Sequence, residues 1–228
     1  MRAYIGFDSR LAAGYEVAEH SARALGWDAV PLYEDRLRAC GMLTRPVDTR
    51  GRMFDFNSGA EQSTEFAIAR FWVPLLAHSG WVLFADSDTL FLAGPDELEK
   101  TADDRYAVMV VKHPPLALDA VKMDGQAQNA YPRKLWSSVT FWNCNHLANR
   151  RLNLQMLNQW PGRDLHAFKW LADDEIGELP PEWNWLVGMQ PRPARPAIIH
   201  YTLGTPDMPG HEDDEAADLW REYAGAAR

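Results

Sequence analysis

One stretch of this chain constrains the rest. Residues Trp81 to Ala85 (WVLFA) form a continuous apolar run of strand length, Asp86-Ser87-Asp88 interrupts it, and Thr89 to Leu92 (TLFL) resumes it. A strand with no polar face must be covered on both sides, the situation of a central strand in a layered α/β fold. The remaining segments supply the layers. Strand-like and helix-like stretches alternate without a repeat and no Ser/Gly-rich linker divides them, so the chain reads as a single α/β domain.

Composition narrows the class of function. With 46% apolar and 24% charged residues over 228 positions, the chain can bury a sizeable core. Its 23 basic and 32 acidic residues give a net charge of −9, which argues against a nucleic-acid binder or a basic protein of membrane surfaces. An anionic substrate therefore has to meet a locally placed cation or a metal ion. No run approaches the ~20 apolar residues that span a bilayer. The start, MRAYIGFDSR, lacks the apolar core of a signal peptide, so a cytoplasmic location is expected. Cys40 and Cys144 show no CxxC spacing and read as reduced structural thiols.

Local signals divide the chain further. Ala3 to Phe7 (AYIGF) reads as a strand, and Tyr15, Ala18, Ala22 and Leu25 recur at helical spacing up to Gly26, a residue suited to a helix C-terminus. Ala29 to Tyr33 (AVPLY) is a second strand that Pro31 confines to an edge, if it forms at all. Thr44 to Gly59 shows little periodicity and reads as a long irregular loop. Ser58 and Glu61 have capping-box spacing, with Ser63 as another cap; Phe66, Ala69, Val73 and Leu76 follow at helical intervals, with a kink expected at Pro74. Later strands are expected at Tyr106 to Val111, Ser137 to Trp142 and Ala197 to Tyr201. Helices are expected at Asp96 to Lys100, His146 to Leu157, His166 to Ile176 and Glu212 to Tyr223, the last with Leu219, Trp220 and Tyr223 turned inward. Lys112 to Lys134 reads as a second long loop or broken helix, and the two long loops are natural walls of a cleft.

Asp86-Ser87-Asp88 is the sharpest chemical signal. If the extended conformation persists past Ala85, the carboxylates at i and i+2 share a face and can engage one divalent cation directly or through water. Two carboxylates side by side in a half-buried place raise each other's pKa, so an ion or an added proton is expected. The bland alternative is a solvated turn bearing two acids. In a chain of net charge −9, Mg2+ or Mn2+ is a means of holding a diphosphate, because the ion neutralises its oxygens and stabilises charge on a leaving group.

With these residues in view, the chain resembles the family 8 glycosyltransferases, retaining sugar-nucleotide enzymes of the glycogenin and lipopolysaccharide galactosyltransferase kind. The resemblance is carried by Ile5 to Arg10 (IGFDSR), Ser63 to Leu76 (STEFAIARFWVPLL), Gly80 to Leu92 (GWVLFADSDTLFL), Ser137 to Asn143 (SSVTFWN), Leu171 to Trp185 (LADDEIGELPPEWNW) and His200 to Gly204 (HYTLG). Lys122 to Ser138 and Asp173 to Gly188 look closer still to a bacterial and phage branch of glycosyltransferase-like proteins. The resemblance implies a single-domain GT-A fold, a mixed central sheet flanked by helices, with residues 1–95 holding the nucleotide and 96–228 building the acceptor half and returning a metal ligand. It implies metal-dependent transfer of a sugar from a nucleotide-sugar donor, UDP-linked, to the hydroxyl of a saccharide or other acceptor, with retention of configuration.

By the same resemblance Asp86 and Asp88 bind Mn2+ or Mg2+ on the donor diphosphate, Ser87 lies at the donor, and His200 is the third metal ligand. An imidazole in the set favours Mn2+. Read alone, His200 is a hydrogen-bonded strand-end histidine. Asp8 is implied to meet the base with Tyr15 packed near it, where the residues alone suggest a helix cap and a core aromatic. Arg70 is implied to reach the donor sugar or phosphate; alone it reads as a surface salt bridge. Asp173, Asp174 and Glu175 fall where the family carries an Asp-Gln-Asp sequence beside the reacting sugar. The implied catalytic residues are thus Asp173, Asp174 and Arg70, although an acid in place of the central Gln weakens any nucleophile role. Trp142, Asn143 and Trp183 are the implied acceptor contacts, in a chain with 10 tryptophans whose indole faces suit sugars. Where the family continues with Lys-Pro-Trp, this chain has Thr205-Pro206-Asp207, which removes a cation from the phosphate and shifts its binding onto the metal.

Two other functions fit parts of the sequence. Phe84 to Thr89 also matches the aspartate-nucleophile pattern of haloacid-dehalogenase-like phosphatases, with Asp86 attacking phosphorus. Against it, the motif comes late in the chain and no lysine takes the required place. The altered segment after Gly204 would also suit a nucleotide-sugar-binding protein without turnover.

Overall fold

The computed structural model describes residues 1–50, 53–114, 133 and 135–226. In chain order the strands are β1 (Arg2–Gly6), β2 (Asp28–Leu32), β3 (Val47–Asp48), β4 (Phe54–Asp55), β5 (Ala60–Glu61), β6 (Trp81–Ala85), β7 (Thr89–Phe91), β8 (Val108–Val110), β9 (Val139–Asn143), β10 (Ile176–Glu178), β11 (Trp185–Leu186) and β12 (Ile198–His200). A mixed sheet of order β10-β8-β9-β6-β1-β2 forms the centre. Strand β9 is antiparallel to both its neighbours, so β2, β1, β6, β8 and β10 all point their carboxyl ends to one edge. Ligands of open α/β sheets bind at that edge.

The apolar run of β6 is central and covered on both faces. Leu83 and Ala85 pack with Ile5, Phe141 and helix α1 (Ala12–Ala24), which contributes Tyr15, Ala18 and Ala22. Val82 and Phe84 face the other way, toward Phe66, Phe71, Trp72, Trp142 and Trp170. Each such side chain removed from water contributes about 1.5–3 kcal/mol. A third cluster joins Val17 of α1 to Leu90, Ile199 and Trp220. There the smaller sheet β11-β12-β7 and the C-terminal helix Ala217–Ala226 meet α1. The chain leaves the large sheet at Ala85 and enters the small one at Thr89, so Asp86-Ser87-Asp88 is the crossing between them.

Several local expectations hold. Gly26, with φ of 89°, follows the C-cap Leu25 of α1. Pro31 lies on edge strand β2, opposite Ile5. Others do not hold. The segment from Thr44 to Gly59 is not irregular: β3, β4 and β5 pair as a small antiparallel sheet. It is anchored by an ion pair between Arg45 and Asp55, both with fully buried side chains. Arg45 Nη1 also donates to the carbonyls of Leu157 (3.0 Å) and Trp160 (2.8 Å), a contact distant in sequence. The Ser58 and Glu61 capping box does not form, because Ser58 Oγ donates to Asp55 and accepts from Gly162 N, while Glu61 lies in β5. Helical structure begins only with the 3-10 turn Ala69–Trp72 and the helix Val73–Ala77, and Pro74 falls in its first turn, where the missing N–H costs nothing.

The expected helix His146 to Leu157 is broken into Leu147–Arg151 and Leu154–Gln159. That over His166 to Ile176 is replaced by Gly162–His166 and a turn at Asp173–Glu175, since Ile176 is already strand. The tail helix begins at Ala217, with Ala217 and Trp220 buried and Leu219 and Tyr223 partly so. Most of Lys112 to Lys134 and of the Lys122 to Ser138 block lies outside the described residues. Among the described residues no helix is long and apolar enough to cross a membrane.

The buried ion pair yields a test of the fold. Removing one partner leaves the other charge stranded, at a cost of about 3–5 kcal/mol. Asp55→Ala is therefore expected to lower the unfolding free energy by that order. The double change Arg45→Met with Asp55→Leu should cost much less, as read from urea midpoints at fixed slope.

Candidate metal centre

Asp86, Asp88 and His200 each offer a ligand atom, and the three atoms lie within 4.8 Å of one another. Backbone pairing brings them there. The Asp86 N–H donates to Ser138 O at 3.0 Å, continuing the β6–β9 ladder past Ala85. Thr89 Oγ1 donates to the Asp86 carbonyl at 2.8 Å, which tightens the crossing into a turn. In the small sheet Thr89 pairs with His200, and the Tyr201 N–H donates to Asp88 O at 2.9 Å, which fixes His200 beside Asp88. The two carboxylates thus converge through a turn and not through the continued extended strand that the spacing suggested. Gly14 of α1 permits this packing, because a Cβ there would lie 3.1 Å from Ser87 O and 3.3 Å from Thr205 Cγ2.

Arg70 compensates the charge. Its Nη1 lies 2.9 Å from Asp86 Oδ1 and 2.9 Å from Ser137 O, and its guanidinium packs beside the adjoining rings of Phe66 (5.2 Å) and Phe84 (5.1 Å). Only about 5% of its side chain is exposed, so it is a buried partner and not the surface salt bridge that the residue alone suggests. The delocalised guanidinium suits this place, where it meets a carboxylate and a carbonyl and has aromatic rings beside it.

His200 Nε2 lies 3.2 Å from Asp88 Oδ1, and Nδ1 lies 3.0 Å from Asn184 Oδ1. Asn184 Nδ2 reaches Ser138 Oγ at 2.9 Å and His113 Nε2 at 3.0 Å, and the Gln190 amide closes on His113 Nδ1 at 2.9 Å. Burial pushes the His113 pKa down to about 4, with His200 adding to the shift and the Gln190 hydrogen bond opposing it. Two carboxylates and one imidazole form the mixed oxygen and nitrogen set that Mn2+ accepts, and three ligands leave room in an octahedral shell for phosphate oxygens or water. The residues present therefore fit a divalent cation.

The structure does not gather all the expected site residues. Asp8 is fully buried and saturated: Oδ1 accepts from Arg10 N (2.9 Å) and Nε (3.0 Å), and Oδ2 from Arg10 Nη2 (2.6 Å) and Glu65 N (3.1 Å). It caps the turn Ser9–Leu11, the role its residue type alone suggested. Tyr15 is buried edge-on to Phe7 at 5.2 Å, and burial pushes its phenol pKa up. Ser87 is fully buried under α1.

Trp142 is fully buried and stacked on Trp170 at 6.3 Å, so protein covers its faces. Because β9 runs antiparallel to β6, Asn143 pairs with Trp81 at the far end of the strand from Asp86, roughly 16 Å away along it. Trp183 is core, packed with Ile198 and Leu179. Asp173 and Asp174 are exposed, and Asp173 pairs with Arg133. They precede β10, whose Ile176 is level with Val108, Trp142 and Val82, and the guanidinium of Arg133 lies 5.3 Å from the Trp136 ring. They are not among the three groups whose ligand atoms converge. Asn184, His113 and the Ser137-Ser138 pair were missed. The one sequence signal for His113 is its place just after an apolar strand, where Asp8 and Asp86 also stand.

The fold is that of the GT-A glycosyltransferases. The galactosyltransferase LgtC, solved with donor and acceptor sugar analogs, superposes with a TM-score of 0.62 at 14% identity over 99% of this chain and 96% of that one. The bifunctional glycosyltransferase WbbM matches at 0.60 and 17% identity over 98% of this chain, and GlyE of Streptococcus pneumoniae at 0.60 and 13% over 98%. The chain spans about half of WbbM (49%) and 59% of GlyE. No protein-family model matches the chain. It is 38% identical over 228 residues to Protein CDI of Arabidopsis thaliana, covering 96% of this chain and 84% of that protein, and belongs to the family of that protein.

The buried histidine makes stability depend on pH. Between pH 6.5 and about 4 the unfolded chain binds a proton at His113 that the folded chain refuses. Stability is therefore intact above pH 6.5 and falls toward pH 4, by roughly 2–3 kcal/mol from this residue. Glu34, pushed up to about 7 by burial against the pull of Arg38, acts oppositely and lowers stability as pH rises from 4.5 to 7. The His113→Gln variant should flatten the acid-side loss while leaving the Glu34 contribution. Urea unfolding at a series of pH values measures the difference between the two curves.

Proposed function

We propose that the protein is a metal-dependent glycosyltransferase that moves a sugar from a nucleotide sugar, UDP-linked in the first instance, to an acceptor hydroxyl with retention. The convergence of Asp86, Asp88 and His200 at the carboxyl edge of the sheet carries this reading. A divalent ion held by these three side chains, Mn2+ before Mg2+, would neutralise the donor diphosphate and stabilise charge on the departing nucleoside diphosphate. That LgtC takes donor and acceptor sugar analogs on the same fold supports the reading, as does the resemblance of the sequence motifs to family 8.

Arg70 pairs with Asp86 and aims it, acting on the donor through that carboxylate. Near Asp8, the rings of Phe7 and Tyr33 are half-buried and 4.8 Å apart, with Tyr15 behind Phe7; they offer an aromatic surface to a base. Residues 1–95 would thus hold the nucleotide, and residues 96–228 the acceptor, a saccharide or other hydroxyl compound. In the transfer the bond from anomeric carbon to phosphate oxygen breaks. The acceptor oxygen bonds to that carbon from the same face, and its proton departs with the nucleoside diphosphate. Asp173 and Asp174 enter the proposal through the family resemblance, as carboxylates that stabilise positive charge at the anomeric carbon. A cytoplasmic site of action belongs to the proposal.

A ligand that binds only the folded state at about a hundred times its dissociation constant adds ~2.7 kcal/mol, which for a chain of this size raises the melting temperature by about 5–10 °C. UDP with Mn2+ is expected to do so for the wild type, and neither component alone to match it. Asp88→Ala and His200→Ala should fold yet lose the shift. An equal shift without metal, or an undiminished one in both variants, would overturn the proposed site.

A further inference from the structure

We infer that Asn184 is a positioning residue that fixes the tautomer of His200, so that Nε2 and not Nδ1 is the nitrogen offered to a cation. The inference rests on the metal site proposed above and concerns how that site is held. Asn184 is fully buried, at the end of the turn Pro181–Asn184 just before β11. Its amide has two orientations related by a half-turn, and the surroundings select one. Ser138 Oγ donates its single hydrogen to Leu135 O at 2.9 Å, so toward Asn184 it can only accept. The amide group facing Ser138 must therefore be the NH2, and the group facing His200 Nδ1 at 3.0 Å must be the oxygen. An amide oxygen only accepts, so Nδ1 carries a hydrogen. Nε2, 3.2 Å from Asp88 Oδ1, is the nitrogen turned to the carboxylates.

The chain of donors continues outward. The second Asn184 hydrogen goes to His113 Nε2, which makes that nitrogen an acceptor and Nδ1 the N–H of a neutral ring. Gln190 Nε2 stands 2.9 Å from His113 Nδ1, and the assignment turns that amide by a half-turn, which the hydrogen-bond network alone decides, so that its oxygen accepts there. One buried amide thus ties β12, through His200, to the end of β8, through His113, and to Ser138, whose carbonyl holds the Asp86 N–H. Such outer partners of a ligating histidine typically carry a 10–100-fold effect on metal affinity.

The test uses the full-length chain and Mn2+ alone, titrated by electron paramagnetic resonance. Asn184→Leu removes every hydrogen bond of the amide and should weaken Mn2+ binding about 10–100-fold. Asn184→Asp keeps an acceptor for His200 Nδ1–H and should restore affinity to within about tenfold of wild type. A structural role alone would lower the melting temperature of both variants without separating their Mn2+ affinities, and that result overturns the inference. His200→Ala separates the two levels of argument: if it binds Mn2+ like wild type, the metal site itself is wrong, whereas if it weakens and Asn184→Leu does not, only the role of Asn184 fails. A metal-free measurement decides independently of variant folding. Two-bond 1H–15N correlation in histidine-labelled wild-type protein should find a hydrogen on His200 Nδ1; a bare Nδ1 with the hydrogen on Nε2 alone overturns the inference.

Discussion

Two carboxylates held at the end of one buried strand repel each other, and the neighbourhood is arranged to make that repulsion tolerable. In a protein with net charge −9 the long-range field offers no help, so the compensation has to be local. Arg70 supplies it against Asp86, and a cation held by Asp86, Asp88 and His200 would supply the rest. The arginine is itself held by Phe66 and Phe84. Phe66 in turn lies over Gly6, where a Cβ would be only 2.4 Å from the ring. Packing as far away as the end of β1 thereby sets the charge balance of the cluster.

The cluster also sits where two sheets share one chain. The crossing from β6 to β7 places Asp86 at the edge of the large sheet and Asp88 at the edge of the small one, and β12 brings His200 by pairing with β7. An ion bound there would link both sheets, which is how a ligand of modest size can be felt across a domain. Asn184 gives the same linkage in hydrogen bonds, since its partners come from β12, from the start of β9 and from the end of β8.

Much of the frame was legible because the signals are local. The apolar runs of β1, β6 and β12 are bounded by breakers, Gly26 marks a helix end, and a proline on β2 announces an edge. The acidic pair and His200 were legible as residue types in order, and the structure brings them together. What was not legible depends on direction or on distant partners. Nothing near Trp142 and Asn143 says that β9 runs against β6, yet that direction alone carries them away from the site. The Thr44 to Gly59 segment is ordered by Arg45 reaching residues more than a hundred positions later. Asn184, one amide between two tryptophans, has no spacing that would mark it.

The pairing of Thr89 with His200 has an evolutionary corollary. Side chains alternate across a strand, so a slip of one position between these two ladders would turn the imidazole to the opposite face. Insertions and deletions in the loops between Phe91 and Ile198 are compatible with the site provided β8 to β11 keep their pairing and the return strand keeps its register with β7. Homologues should therefore differ widely in that interval while keeping the parity of the final three residues of β12 against the acidic turn.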